Sequence, residues 1–402
     1  MSRFLNVIPV ADAVAAVIRI SPPAKTETIP LDSAGGRILA AAVMADTDIP
    51  GFDRSVVDGY AVRAADTAGA GDAHPTLLQC AGRIAMGRPD PATEVGPGTC
   101  TYIPTGGVLP TGADAVVMVE YTEEAGDTIM VKKAVSHGEN ILLHGEDFKQ
   151  SEIVFPEGRR ISPQDAGVLA ACGCAVVAVA KKPVVGIIST GNELVPVTVV
   201  PGLGQVRDAN APMLAAYIAE YGCIPRHYGF TLDEREAFEA ILLRAVPECD
   251  VVLLSGGSSK DDQDMTAAVI ASLGEVLVHG IAIAPGKPTI IGQIRGKPVF
   301  GLPGHPASAF IVLLAIVRPL LDRMLGITVP LQRTEKATLA MNIPSQQGRE
   351  EYVRVRLENG IVTPLFGKSG LLNTLVRSNG LVRIPAGSEG FEQGSTVEVI
   401  LW

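Results

Sequence analysis

The chain has 402 residues, with 33 Lys and Arg against 43 Asp and Glu, a formal charge of −10, 47% hydrophobic residues and only 4% aromatics. At roughly 150 residues per domain this predicts two to four domains with sizeable cores, and the apolar content argues against disorder. The acidic balance excludes a broad nucleic-acid footprint, which needs clustered basic residues to neutralise phosphates.

The longest uninterrupted apolar run, Ala309 to Val317, is less than half of the ~20 residues that cross a bilayer, and Arg318 closes it. No membrane association is expected. The start, MSRFLNVIPVADAV, has no long apolar core leading to a small-residue cleavage site, so the expected location is cytoplasmic. Cys80, Cys100, Cys223 and Cys249 stand alone, and Cys172-Gly173-Cys174 lies in the apolar run AGVLAACGCAVVAVA, where buried thiols are common. Neither a disulfide scaffold nor a zinc site is expected.

In chain order, residues 1 to about 48 read as a helix (Val10 to Ile18) and a mixed segment. From about 49 to 142 the chain is rich in Gly, Pro, Val and Thr, with short β-type runs at Ala115 to Glu120 and Thr128 to Lys132 and a turn at Pro110-Thr111-Gly112. This predicts a small β-rich unit inserted into the first. Segments at 143 to 180 complete what residues 1 to 48 begin.

Residues 181 to 328 alternate apolar strands with amphipathic helices, the pattern of a parallel α/β sheet. A strand at Val184 to Ile188 precedes a helix that Asn210 is expected to cap, with Met213, Leu214, Tyr217, Ile218 and Tyr221 on one face. A second helix follows Asp233, whose spacing to Glu236 reads as a capping box, and buries Phe238, Ile241, Leu242 and Ala245. Strands follow at Val251 to Leu254 and Pro298 to Gly301, then one long helix from Ala307 to Leu325 closed by Gly326. The tail, 329 to 402, returns to strand alternation, as in Glu351 to Arg356. The fold class is therefore multidomain α/β: a parallel α/β domain, an inserted β domain, an elongated discontinuous domain and a C-terminal β-barrel-like domain.

Three loops fall at carboxyl ends of predicted strands, where such sheets bind ligands. They are Ser189-Thr190-Gly191-Asn192-Glu193, the run at 255 to 264 that begins Ser255-Gly256-Gly257, and Leu302-Pro303-Gly304-His305-Pro306-Ala307-Ser308. Each alone is an ordinary strand-to-helix turn; together they predict one pocket.

Carboxylates crowd it: Glu193, Asp208, Asp233, Asp261, Asp262 and Asp264. Acids beside anion-suited glycines disfavour an anionic ligand unless a divalent cation bridges the two. This points to Mg²⁺, with Asp264 and Glu193 as candidate ligands. The cationic side is Ala284-Pro285-Gly286-Lys287-Pro288, where a rigid turn holds one lysine for an oxyanion. Arg349, Arg354 and Ser369 add donors if the tail folds over the pocket. His305 reads equally as a donor, an acid or a ring packed on its neighbouring prolines. No Ser-His-Asp or Cys-His arrangement is present in the sequence.

These residues resemble the molybdopterin molybdenumtransferase (MoeA) family, related to the C-terminal domain of gephyrin. The resemblance spans nearly the whole chain. It is carried by Phe52-Asp53-Arg54-Ser55-Val56-Val57-Asp58-Gly59-Tyr60-Ala61, Pro104-Thr105-Gly106, Gly112 to Val117, Gly145-Glu146-Asp147 and the Ser189 to Glu193 loop. Later markers are Asp208-Ala209-Asn210, Ser255-Gly256-Gly257 with Asp264, Pro285-Gly286-Lys287-Pro288 and Gly301 to Pro306.

The resemblance implies a homodimer that inserts molybdate into the dithiolene of adenylylated molybdopterin, releases AMP and is assisted by Mg²⁺. By the same resemblance Asp58 and Thr105 act from the partner's inserted domain, and Glu193, Asp233, Asp264 and Lys287 complete the catalytic set. Ser189, Thr190, Gly191, Asp208, Asn210, Ser255, Gly256, Gly257, Pro303, Gly304, Pro306, Arg349 and Ser369 are the implied binding residues. A molybdopterin adenylyltransferase is a candidate partner.

Two departures stand out: Ala284 where many members have lysine, and His305 where many have asparagine. Tungstate matches molybdate in charge and nearly in shape, so the sequence separates neither. Two other readings compete. The related adenylyltransferase needs only the α/β unit, and a gephyrin-like scaffold would not need the intact acidic and glycine loops.

Overall fold

The computed structural model describes residues 6–87, 93–231, 234–256, 260–328 and 332–402, with the backbone alone described for 260–264. The most apolar runs pair into one six-stranded sheet. Its strands are β1 (Val184–Thr190), β2 (Ile224–Thr231), β3 (Val251–Gly256), β4 (Glu275–His279), β5 (Ile290–Ile294) and β6 (Lys297–Leu302), in the order β2-β1-β3-β6-β5-β4. The first four of that order are parallel. The last two are antiparallel additions that apolar periodicity did not predict. Their cause is local: Arg295 and Gly296, at φ 50 and 75, form a two-residue turn that folds β5 directly back along β6.

Covering the sheet are α1 (Asn210–Glu220), α2 (Arg235–Glu248), α3 (Lys260–Leu273), α4 (Pro306–Val312) and α5 (Arg318–Leu325). Alternate residues of each strand serve opposite faces. Val185, Ile187, Val251 and Leu253 pack with Leu214, Ile218 and Leu320, while Ile188, Val252 and Leu254 pack with Phe238, Leu242 and Ile270. Burial on both faces is why these strands read as continuous apolar runs. The N-terminal helix Val10–Ile20 also packs into the first of these cores through Val10, Ala13 and Val17.

The long helix expected after Pro306 runs unbroken to Leu325, with a π-helical turn at Leu313–Val317 between α4 and α5. Pro319 explains the widened turn, because it lacks an N–H and its ring crowds the preceding turn. Gly326, at φ 67, ends α5 in the left-handed conformation.

Around this unit lie three others. Thr26–Pro30 pairs with Val176–Ala180 over a core containing Leu39, Phe155, Ile161 and Leu169. Strands lying between Gly59 and Val131 form a separate six-stranded sheet with Tyr60, Leu78, Ile129 and Val131 inside. In the tail, Glu350–Glu358, Ile361–Pro364, Thr334–Leu339, Thr396–Leu401 and Gly380–Ile384 pair in sequence, and the last pairs back to the first. The ladder thus closes into a small barrel. Among the described residues, no helix is long and apolar enough to cross a membrane.

Candidate active site

The strand order reverses between β1 and β3, which makes their carboxyl ends a topological switch point. Their last paired residues are Ser189 with Ser255 and Thr190 with Gly256. A Cβ at Gly256, φ +148, would lie 1.9 Å from the Thr190 carbonyl oxygen, so glycine is what keeps the two strands paired to their tips.

The Asp208–Asn210 segment ties all three loops together. Asn210 donates from Nδ2 to the Ser255 hydroxyl at 2.9 Å and to the Gly304 carbonyl at 2.8 Å. Its own Oδ1 is buried without a partner among the described residues. Ser189 Oγ donates to Asp208 Oδ2 at 2.5 Å. Asp208 Oδ1 accepts the backbone N–H groups of Asn210 and Ala211, at 3.0 and 3.1 Å. The expected cap is therefore corrected: Asn210 is the first helical residue and Asp208 satisfies the helix start, because the Asn210 amide is committed to the neighbouring loops.

Gly191, φ +147, lies beneath the exposed Glu193 carboxylate, whose Oε2 would be 2.6 Å from any Cβ there. In the third loop Pro303 is buried and Pro306 opens α4, while His305 and Ala307 face the tail barrel. His305 Nδ1 lies 2.8 Å from Ser369 Oγ, and the Ala307 N–H donates to the Ser369 carbonyl at 3.2 Å.

The lysine turn is joined to the same barrel. Ile283–Ala284 pairs in parallel with Glu350–Glu351, and the Glu350 N–H donates to the Ala282 carbonyl at 2.8 Å. Lys287 is exposed, three residues beyond this pairing, and Arg349 immediately precedes it on the barrel side. Gly286 is required in the turn, since a Cβ would strike Val312 at 2.6 Å. Pro288 shares a narrow recess with Thr190, Gly256, Thr266 and Gly301.

The Nε atoms of Arg349 and Arg354 are buried without described partners. Arg354 is 6% exposed, and burial pushes its guanidinium below its ordinary pKa. Its other nitrogens bond Thr374 Oγ1 at 2.9 Å and the Gly367 carbonyl at 2.6 Å, so it clamps both sides of the segment carrying Ser369.

The structure therefore gathers Ser189, Thr190, Gly191, Glu193, Asp208, Asn210, Ser255, Gly256, Pro303, Gly304, Pro306 and Ser369, with Lys287 on the adjoining turn and Arg349 on the barrel segment paired beside it. Asp233 and Gly257 lie outside the described residues, as does the Asp264 side chain. Asp58 and Thr105 are elsewhere, on the inserted β unit: Asp58 Oδ1 accepts the Thr105 N–H at 2.7 Å and its hydroxyl at 3.1 Å. Sequence reasoning missed the double duty of Asn210 and the His305–Ser369 contact, since neither leaves a local pattern.

A wider hollow lined by Lys25, Lys181, Lys182, Pro247 and Lys297 opens at the opposite end of the strands, beside Asp250. It lacks the strand-end glycines and helix starts that suit an anionic ligand, so size is a poor guide here.

Three family models match in series: the MoeA N-terminal region (domains I and II) over residues 8–173, the probable molybdopterin binding domain over 186–323, and the MoeA C-terminal region (domain IV) over 336–402. A molybdopterin molybdenumtransferase of Bacillus subtilis (strain 168) is 35% identical over 404 residues, covering 98% of this chain and 94% of the relative. The chain belongs to the MoeA family. It is accordingly an enzyme of the molybdopterin molybdenumtransferase class, in molybdenum cofactor biosynthesis. A Staphylococcus aureus (strain COL) molybdopterin molybdenumtransferase is 33% identical over 402 residues, covering 98% and 96%. Among solved structures, a molybdopterin biosynthesis MoeA protein from Pyrococcus horikoshii OT3 superposes with a TM-score of 0.86 at 35% identity, covering 99% of this chain and 100% of that one.

Proposed function

We propose that the chain transfers molybdate into the dithiolene of adenylylated molybdopterin with release of AMP, acting as a cytoplasmic homodimer with Mg²⁺. The observation that carries this reading is the Asp208–Asn210 node, which joins three small, polar strand-end loops into one anion-suited site facing the barrel. Molybdopterin and molybdate as substrates are supported by the matched family regions.

In this reading Thr190, Gly191, Ser255, Gly256 and Gly257 receive the pterin and its phosphate, their small size letting a ligand approach the backbone. Lys287, Arg349 and Ser369 hold molybdate as donors to an oxyanion. Asp208 and Asn210 keep the loops in register, and Pro303 and Pro306 stiffen the third. Asp58 and Thr105 enter from the partner subunit, consistent with their hydrogen bonds staying, among the described residues, within the inserted unit. Asp233 complements them by family resemblance. Rate acceleration then comes from positioning and electrostatics, without a protein nucleophile.

Among the described residues, no three or more His, Cys, Asp or Glu side chains assemble into a metal cage. Mg²⁺ takes one or two carboxylates and fills its remaining positions with water and substrate phosphate. Glu193, exposed over the Gly191 backbone, fits this donor set, with Asp264 as the second candidate. Bound there, Mg²⁺ would neutralise charge on the phosphoanhydride of the adenylate.

We further propose the domain division 1–48 with 143–180, 49–142, 181–328 and 329–402, and a molybdopterin adenylyltransferase as the enzyme that hands over the substrate. The deciding experiment measures AMP release from adenylylated molybdopterin with Mg²⁺, in the presence of no oxyanion, molybdate or tungstate. AMP released only with oxyanion, with metal recovered in the pterin, is the expected result and ranks the two oxyanions. Intact adenylate under every condition would overturn it.

A further inference from the structure

The α/β domain and the tail barrel meet at a side-chain contact beside the site: His305 Nδ1 lies 2.8 Å from Ser369 Oγ. Neither residue is free to wander. His305 precedes α4 and its carbonyl accepts the Ala309 N–H at 2.9 Å, while its ring rests on Gly370, where an added Cβ would lie 3.7 Å from Cδ2. The Ser369 carbonyl is held by the Ala307 N–H, and the flanking Gly367 and Thr374 are held by the buried Arg354. The hydroxyl torsion of Ser369 is what remains to be set.

A serine hydroxyl has one proton to donate. If His305 Nδ1 accepts, that proton is spent on the imidazole and Ser369 offers an oxyanion only lone pairs, which repel it. If Nδ1 carries a proton and donates, the Ser369 oxygen is satisfied as an acceptor and its O–H points elsewhere, available to an anion.

We propose that His305 is a positioning residue that donates from Nδ1 to Ser369 and thereby turns the Ser369 O–H toward the bound oxyanion. The inference rests on the oxyanion-transfer reading above. Asparagine would serve the same end here, since its Nδ2 is bonded to Cγ, as His Nδ1 is, and is an obligate donor.

The test uses the full chain and four variants, His305→Leu, His305→Asn, Ser369→Ala and the His305→Leu/Ser369→Ala pair. The molybdate dependence of AMP release is measured alongside calorimetric tungstate binding, with melting temperatures as a folding control. His305→Leu is expected to raise KM for molybdate and Kd for tungstate about tenfold, the size of one hydrogen bond to a charged group, with kcat at saturation nearly unchanged. His305→Asn restores both, and His305→Leu adds nothing in the Ser369→Ala background. Additive effects of the two substitutions, or failure of asparagine to rescue a folded protein, would overturn the proposal. If the wild-type chain binds tungstate but releases no AMP with any oxyanion, the transfer reading fails, and the tungstate affinities alone still decide the role of His305. A wild-type chain that does not bind tungstate overturns both.

Discussion

Asn210 and Ser255, 45 positions apart in sequence, share a buried hydrogen bond of 2.9 Å, and the same amide nitrogen holds the Gly304 carbonyl. One side chain at the start of α1 thereby fixes the loops after β3 and β6. The partner bond from Ser189 to Asp208 draws in the end of β1. The site is a hub rather than a set of independent turns.

Replacing Asn210 with Ala removes the hub and leaves the Gly304 carbonyl and Ser255 hydroxyl without that donor. The expected loss is about 2 kcal/mol of stability, the cost of stranding buried polar groups, read from the urea midpoint. Pterin affinity should fall in parallel, because the loops after β3 and β6 lose their shared donor while the Ser189–Asp208 bond remains. A folded variant of wild-type stability would contradict the hub.

Gly256→Ala places a methyl group where the Thr190 carbonyl already lies, at 1.9 Å. Gly36→Ala is the control, since Gly36 also has positive φ, 75, but open space around it. The control should lose about 1 kcal/mol from backbone strain alone, and Gly256→Ala clearly more. Equal losses on thermal melting would show that the strand tips can part.

The pH dependence of stability has a defined contributor in Asp165. The Arg159 side chain, bonded at 2.8 and 3.0 Å, is the main reason its carboxyl titrates below the ordinary value of 3.8, assisted by the Ser162 cap and opposed by burial. A folded pKa below the unfolded one means the stabilisation is complete above the unfolded value and is lost as pH falls through the folded one. Asp165→Asn should therefore destabilise the protein at pH 7 and flatten the decline below about pH 4. An acid limb as steep as the wild type's would reject this assignment.

The proposed sharing of a site between subunits predicts complementation. Asp58→Ala and Lys287→Ala would each be inactive alone, because each damages both sites of its homodimer. Unfolding and refolding them together makes about half the dimers mixed, each with one intact site, and restores about a quarter of wild-type AMP release. No recovery in a mixture shown to exchange subunits would place Asp58 and Lys287 in the same subunit's site.

Much of this was legible locally. Apolar runs over 184–188 and 251–254 identify strands covered on both faces, and the spacing of Leu214, Ile218, Phe238 and Leu242 identifies the buried sides of α1 and α2. What the pattern missed was also local in cause. The π-helical turn before Pro319 and the hairpin at Arg295-Gly296 each depend on one or two residues that a wide apolar window averages away. The reading of Asn210 as a cap failed because two nearby groups suit that role, and only the demand from Ser255 and Gly304 decides between them.

The strand-end loops, their glycines and the order of the motifs are legible in the chain alone, because backbone conformation and burial pattern depend on near neighbours. Only the tertiary structure decided which groups meet. Ser369 reaches His305 across 64 positions, and Asp58 meets Thr105 away from the α/β loops. Such contacts are set by how whole sheets close and pack, and a hydrogen bond between distant residues imposes no period, spacing or composition on the chain between them.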